Sequence, residues 1–289
     1  MLEDLVFRLL AKPFMAGETA KDAIVAAKTL AQKREKAVIN ILGEHVKDFR
    51  LAHGFLDQYG RLLEAIKIEG LDINIAVKPS QLGLDIDRKW YGLNLSYLLR
   101  KTQSILPAAL VEIDAEDHLY RKAVFETTIR LGETHSNQRL ACQVNLQNTT
   151  EEIRALIARG IAVRLCKGDC YPGDIKNQKE IRKIYLEQAS ELIQGGCRTA
   201  IATHDPSIID QVVCLGLGVA KHKFEFEMLM GIEKGLSSGL AERGFSVRRY
   251  VPCGKEWFSY GKRRWKSIPR IMARNWLYRR KRQFEKVFK

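Results

Sequence analysis

The chain has no paired-cysteine motif, no long apolar run and no glycine-rich dinucleotide turn, and each absence closes a class of protein. Its six cysteines, at positions 142, 166, 170, 197, 214 and 253, form no Cys-x-x-Cys, and several sit inside apolar runs. They read as small buried thiols of a reducing compartment, not as a disulfide frame or a zinc site. No apolar stretch approaches the ~20 residues needed to cross a bilayer. The opening Met1–Phe7 segment has no basic region ahead of an apolar one, so no signal peptide is expected and the protein is placed in the cytoplasm. A Gly-x-Gly-x-x-Gly turn does not follow the first strand-like run. The Leu215-Gly-Leu-Gly218 stretch follows a helical segment and lacks the third glycine. Disorder is excluded by an apolar fraction of 46%.

Acidic residues are scarce mainly at one end. The net charge is +14, and Lys255–Lys289 alone holds six Lys and seven Arg against two Glu, so the remainder is close to neutral. Within that tail, Ile271, Met272, Trp276, Phe284, Val287 and Phe288 are spread among the basic residues. A helix of this kind suits an anionic membrane surface, or packs as a solvated end on the body of the protein. It carries no nucleic-acid motif, and no nucleic-acid partner is expected.

What is present is alternation. Residues 21–36 have no Gly or Pro and place Ala23, Ile24, Ala27, Leu30 and Ala31 at helical spacing, which predicts an N-terminal helix. Eight β-prone runs follow: Ala37–Leu42, Ile73–Val77, Ala109–Ile113, Leu140–Asn145, Ile161–Cys166, Thr199–Thr203, Lys223–Met228 and Ser246–Val251. Amphipathic segments such as Glu116–Leu131, Glu151–Arg159, Lys179–Ile193 and Pro206–Leu215 separate them. Apolar strands alternating with helices imply a parallel sheet covered by helices. Eight units in one chain of 289 residues imply an α/β fold of the (β/α)8 TIM-type barrel class, with an N-terminal helical segment and a basic C-terminal helix. The expected division is 1–36 for the helical segment, 37–267 for the barrel and 268–289 for the tail.

Barrel active sites lie where strands end. The predicted strand ends carry Lys78, Asp114 with Glu116 beyond it, Gln143 and Asn145, Arg164 with Lys167-Gly168, Thr203-His204-Asp205, Glu225 with Glu227, and Arg249-Tyr250. Such a mouth is electropositive and fits an anionic substrate with a phosphate-bearing cofactor. The Arg263-Arg264 pair, after Pro252-Cys-Gly254 and Tyr260, suits a planar carboxylate through parallel hydrogen bonds, or is a basic helix facing water. Several of these residues have plainer roles open to them as well. Glu225 and Glu227 fit ion pairs lining the barrel, His204 a structural ring or a base, Asp114 a helix cap, and Lys78-Pro79-Ser80 a plain turn.

Taken in order, these segments resemble the proline dehydrogenases, flavin-dependent barrel enzymes of proline catabolism. The matching stretches are Ala37–Glu44, Val77–Gly83, Ile113–Glu116, Val163–Gly168, Ala202–Asp205, Phe224–Leu229 and Tyr250–Gly254 through Tyr260 to Arg264, over most of residues 20–265. The resemblance implies FAD-dependent oxidation of L-proline to 1-pyrroline-5-carboxylate by hydride transfer from substrate C5 to flavin N5. It implies reoxidation by a quinone and a separate pyrroline-5-carboxylate dehydrogenase as partner. It gives Lys78, Arg263 and Arg264 the substrate carboxylate. Leu229, Tyr250 and Tyr260 would pack on the proline ring, and Asp114 would support Lys78 or the arginines. Arg164 would lie near N5 and Gln143 would bond the isoalloxazine, with Ala115, Lys167, Gly168, Asp169, Thr203 and His204 lining the FAD. The chain departs from the family pattern at Asp169, Cys170, Glu227 and Ser267. Two rival readings are a flavin dehydrogenase of another cyclic imino acid and a non-catalytic ligand-binding relic of the fold.

Overall fold

Eight parallel strands close into a barrel in simple sequential order in the computed structural model of the chain. It describes residues 12–168, 173–195, 198–216, 223–232, 234–258, 260–261, 269, 271–273, 275–276 and 278. The strands are β1 (Lys36–Ile41), β2 (Ile73–Val77), β3 (Val111–Ile113), β4 (Gln138–Gln143), β5 (Ala162–Cys166), β6 (Thr199–Ala202), β7 (Phe224–Leu229) and β8 (Ser246–Cys253). A helix follows each of β1 to β7: α2 (Phe49–Glu69), α3 (Arg88–Ile105), α4 (His118–Gly132), α5 (Thr149–Ile157), α6 (Gln178–Gln194), α7 (Pro206–Gly216) and α8 (Lys234–Glu242). Ahead of β1 lies α1 (Ala20–Ala31). All eight predicted runs overlap these strands, and the ends move by a residue or two because ladder pairing, not composition, sets them.

The helices begin where the sequence supplies caps. Thr19 accepts from the Asp22 N–H at 3.2 Å while Asp22 accepts from the Thr19 N–H at 2.9 Å, a reciprocal box that starts α1. Asp48, Asp87, Asp117 and Asn177 cap α2, α3, α4 and α6 with side-chain oxygens. Gly70 ends α2 in the left-handed region at φ 61°, where a side chain would be strained.

Strand alternation divides the core in two. Ile39, Ile75, Val77, Ile113, Val163, Leu165, Ile201 and Phe226 face outward and pack against the helices in one large apolar cluster. The opposite face of each strand lines the lumen, and there, among the described residues, the apolar cluster is Val38, Ala76 and Tyr250 with Leu229 against them. Most of the remaining lumen is polar, with Asn40, Asn74, Glu112, Arg139, Arg164, Glu225, Glu227 and Arg248 all buried. Parallel pairing keeps register neighbours on one face, so Glu112 sits beside Arg139 and Glu227 beside Arg248.

Candidate active site at the C-terminal mouth

The lumen network starts at the N-terminal end of the strands. Arg248 donates to Glu225 at 2.8 Å and to Asp72 at 3.1 Å. Arg139 bridges Glu225 at 2.7 Å and Glu112 at 2.9 Å, and Asn74 donates to Glu112 at 2.7 Å. Burial alone would raise the Glu225 carboxyl, but Arg248 and Arg139 outweigh it and hold it below the usual carboxylate range. So the ion-pair reading of Glu225 is the one the structure shows. Glu227 also meets a guanidinium, Arg164, at 3.2 Å.

Arg164 carries the network up to the mouth. Its guanidinium bonds Asp114, reaches Glu112 at 3.3 Å, and lies 5.5 Å from the centre of the Tyr250 ring. The Tyr250 hydroxyl donates to the other Asp114 oxygen at 2.6 Å. Burial and the nearby Asp114 carboxylate push this phenol well above its ordinary value, so it stays a donor. Asp114 therefore serves Arg164 and Tyr250. It does not cap α4, whose first turn is held by Asp117.

The other predicted residues take the following positions. Lys78 ends β2 and pairs with Glu44 at 3.5 Å. The turn after it is closed by Gln81 and Leu82 N–H groups on the Lys78 carbonyl, and Ser80 is clamped by Glu116 through its N–H at 2.7 Å and its hydroxyl at 2.6 Å. Burial raises the Glu116 carboxyl against the pull of Lys78 and Ser80. Gln143 is 7% exposed, and its amide makes no hydrogen bond among the described residues. Ala115 borders the same small cavity as Asp114 and Gln143. Lys167 bonds Asp205 at 2.7 Å, and Arg182 reaches the same carboxylate at 3.1 Å. Gly168 has φ 93°, and a Cβ there would lie 1.8 Å from the Asn145 side-chain oxygen, so only glycine brings the backbone this close.

His204 takes its structural reading: its Nε2 accepts from the Leu229 N–H at 3.1 Å and ties the end of β6 to β7. Thr203 accepts from the Asp205 N–H at 3.1 Å. Arg249 faces away from the mouth, where it holds Glu35 at 2.9 Å, Ser237 at 2.8 Å and the Ile232 carbonyl at 2.9 Å. Tyr260 is buried with Leu42 and Trp257. Asp169, Cys170, Arg263, Arg264 and Ser267 lie outside the described residues. Of the basic tail, Tyr278 donates to Asp210 of α7 at 2.6 Å, while Met272 and Trp276 are 59% and 55% exposed. Among the described residues no helix is long and apolar enough to cross a membrane, and no group of His, Cys, Asp or Glu is arranged to hold a metal ion.

Reading only strand ends missed Glu112, Arg139 and Arg248. Their signal was the period-two alternation itself: a charge every second residue in Val111-Glu-Ile-Asp114 and Phe224-Glu-Phe-Glu227 marks a polar lumen.

The sequence profile of the proline dehydrogenase family matches residues 23–264. The chain belongs to the proline dehydrogenase family. A Deinococcus radiodurans proline dehydrogenase is 27% identical over 287 residues, covering 91% of this chain and 88% of that protein. Proline dehydrogenase 1 of Bacillus subtilis subsp. natto is 28% identical over 270 residues, covering 89% and 86%. Among solved structures, proline utilization A from Bdellovibrio bacteriovorus, inactivated by N-propargylglycine, superposes with a TM-score of 0.80 at 20% identity. The match covers 88% of this chain and 32% of that one. The Bradyrhizobium japonicum counterpart gives 0.75 at 19%. These proline utilization A chains are about three times as long, and their likeness is one of fold.

Proposed function

We propose that this chain oxidises L-proline to 1-pyrroline-5-carboxylate with bound FAD, the first step of proline catabolism. The observation that carries the reading is the Asp114–Arg164–Tyr250 cluster, a guanidinium and a phenol locked on one buried carboxylate. It stands beside the apolar patch of Val38, Ala76 and Leu229, at the catalytic end of a barrel of this family.

The residues fit a flavin. Gln143 keeps an amide free of partners among the described residues, suited to the donor and acceptor edge of an isoalloxazine. The Gly168 backbone, with no room for a Cβ, can approach a pyrophosphate, and Lys167 stands next to it. Ala115, Asp169, Thr203 and His204 would also line the cofactor, and Arg164 would lie near its reactive nitrogen. Bound FAD would supply the two-electron acceptor.

The chain's own residues do the rest. Lys78, Arg263 and Arg264 take the substrate carboxylate, the arginines by parallel hydrogen bonds. Leu229, Tyr250 and Tyr260 pack on the pyrrolidine ring and exclude water from C5. Hydride can leave C5 only with the amine neutral, because its lone pair stabilises the iminium that forms. The cationic rim lowers that amine's pKa. Asp114 stays hydrogen-bonded to Tyr250 and Arg164, so neither turns toward solvent between turnovers.

In this reading residues 37–267 are the catalytic barrel, preceded by the helical segment 1–36. Residues 268–289 would dock the enzyme on an anionic membrane surface, a quinone there would serve as the electron acceptor, and a separate pyrroline-5-carboxylate dehydrogenase would take the product. The deciding experiment is anaerobic addition of L-proline to the FAD-loaded protein, followed by flavin absorbance. Bleaching that disappears in Arg263→Ala/Arg264→Ala supports the reaction and the carboxylate clamp. A flavin that binds and does not bleach removes proline as substrate, and failure to bind flavin removes the cofactor. Vesicle sedimentation with and without residues 270–289 tests the tail, and equal binding by both forms would discard its membrane role.

A further inference from the structure

The lumen cluster holds four buried carboxylates, Glu112, Asp114, Glu225 and Glu227, against three buried guanidiniums, Arg139, Arg164 and Arg248. Asp72, which also meets Arg248, has an exposed side chain and pairs with Lys36. The four carboxylates share the donors unequally. Glu112 accepts from Asn74, Arg139 and Arg164, and Asp114 accepts from Arg164 and Tyr250. Glu225 accepts from Arg139 and Arg248. Among the described residues Glu227 accepts from Arg164 Nη1 alone, at 3.2 Å on Oε1, and that nitrogen also serves Glu112. Its Oε2 is shielded from water and has no hydrogen-bond partner among the described residues, and Arg139 stands 3.9 Å from it. An ionised carboxylate oxygen buried without a donor is among the most costly arrangements in a protein. A proton on Oε2 removes the surplus charge and supplies a donor, and the Glu112 carboxylate is the neighbour that shares Arg164 Nη1 with this side chain.

We infer that Glu227 is carried as the neutral acid, its Oε2 hydroxyl donating to Glu112, and that this acid–carboxylate pair is the positioning element that holds Arg164 beneath the mouth. Every strand facing Glu227 is consistent with it. β3 presents Glu112 and Asp114, β4 Arg139, β5 Arg164 and β8 Arg248, while Glu225 shares its own strand. β1 and β2 present uncharged Asn40 and Asn74, and β6 only Ala200 and Ala202. Burial and Glu112 push the Glu227 carboxyl well above the usual range against the pull of Arg164 and Arg139, the reverse of Glu225 two residues earlier. With Glu227 neutral, Arg164 meets one carboxylate fewer and more of its positive field reaches the mouth. That last consequence rests on the proposed function; the protonation state does not.

Glu227→Gln keeps the shape and the uncharged state. The measurement is the urea unfolding of the full chain and of Glu227→Gln, both in saturating FAD, between about pH 5 and pH 7.5. An unfolded glutamate ionises near ~4.3, so above that the wild-type chain takes up a proton on folding. A raised native pKa contributes stability that is complete below the unfolded value and is lost as pH rises toward the native one. The wild-type folding constant should therefore fall about tenfold per pH unit relative to Glu227→Gln. Glu225→Gln is the internal control: Glu225 is ionised in both states over this range, so its ratio to wild type should be flat. A flat ratio for Glu227→Gln overturns the inference, and so does failure of this neutral isostere to fold. Positioning is read in turnover with proline. Glu227→Gln should keep kcat/KM within about twofold, whereas Glu227→Leu, with neither donor nor acceptor, should lose tenfold or more. A Gln variant as impaired as the Leu variant overturns the positioning role. Absence of proline turnover in wild type would instead defeat the proposed substrate and leave the folding result standing.

Discussion

The two ends of the barrel lumen put the same residue types to opposite uses. At the N-terminal end Arg139, Arg248, Glu112 and Glu225 are bonded to one another. At the C-terminal end Asp114 holds Arg164 and Tyr250, and Lys78 meets Glu44, with strand-end turns beyond them. The first arrangement holds strands together, and the second is where the proposed site lies. Charge in a barrel lumen is thus no evidence of function by itself. What separates the two ends is on which end of the strands each charge sits.

The comparison breaks most sharply at Arg139. Arg139→Ala leaves Glu112 and Glu225 short of a shared partner deep in the lumen, which costs about 3–5 kcal/mol. Chemical denaturation should show that loss, while kcat/KM per folded molecule stays near wild type. A loss of activity without a loss of stability would erase the distinction between the two ends. Acid probes the same end. The native pKa of Glu225 lies below its unfolded value, so its contribution is complete above ~4.3 and disappears as pH falls toward the native value. Glu225→Gln should accordingly flatten the stability profile below about pH 4.

At the mouth the order of effects should reverse. Asp114→Ala removes a charge-assisted bond to Arg164 and the acceptor of Tyr250, while Arg164 keeps Glu112 and Glu227. A charge-assisted bond contributes about 1.5–3 kcal/mol, so kcat/KM for proline should fall roughly ten- to hundredfold. The unfolding midpoint should move less than in Arg139→Ala. A larger stability loss than in Arg139→Ala would make Asp114 one more structural acid.

The barrel was legible because its outer face obeys simple rules: Ile39, Ile75, Val163, Leu165 and Phe226 make apolar runs that alternate with capped amphipathic helices. The mouth was legible as a set of strand-end polar residues, since chain order places each strand end on one rim once the barrel closes. Partner choice was not. Lys167 with Asp205, His204 with the Leu229 N–H and Arg249 with Glu35 are contacts between elements far apart in sequence, and no local pattern specifies them. Arg139 and Arg248 escape a reading of C-terminal strand ends, because one precedes the predicted run Leu140–Asn145 and the other lies early in Ser246–Val251. Arg249 and Tyr250 are adjacent, yet alternation sends one outward to Glu35 and the other into the lumen to Asp114.

Tyr250→Phe is the finest probe of the contrast. It deletes one hydroxyl and leaves the ring, so the apolar patch with Val38, Ala76 and Leu229 is kept. Asp114 loses one donor and retains Arg164. A neutral donor on a carboxylate that keeps its cation contributes about 1–2 kcal/mol, so kcat/KM should drop about tenfold or somewhat more. If the hydroxyl orients Asp114 and Arg164, the drop appears in kcat with KM nearly constant. If instead the ring and hydroxyl only shape the substrate pocket, KM rises and kcat stays. The split between the two parameters tells whether this mouth is an ordered electrostatic device or a well-shaped hole, which the sealed end, having no substrate, can never report.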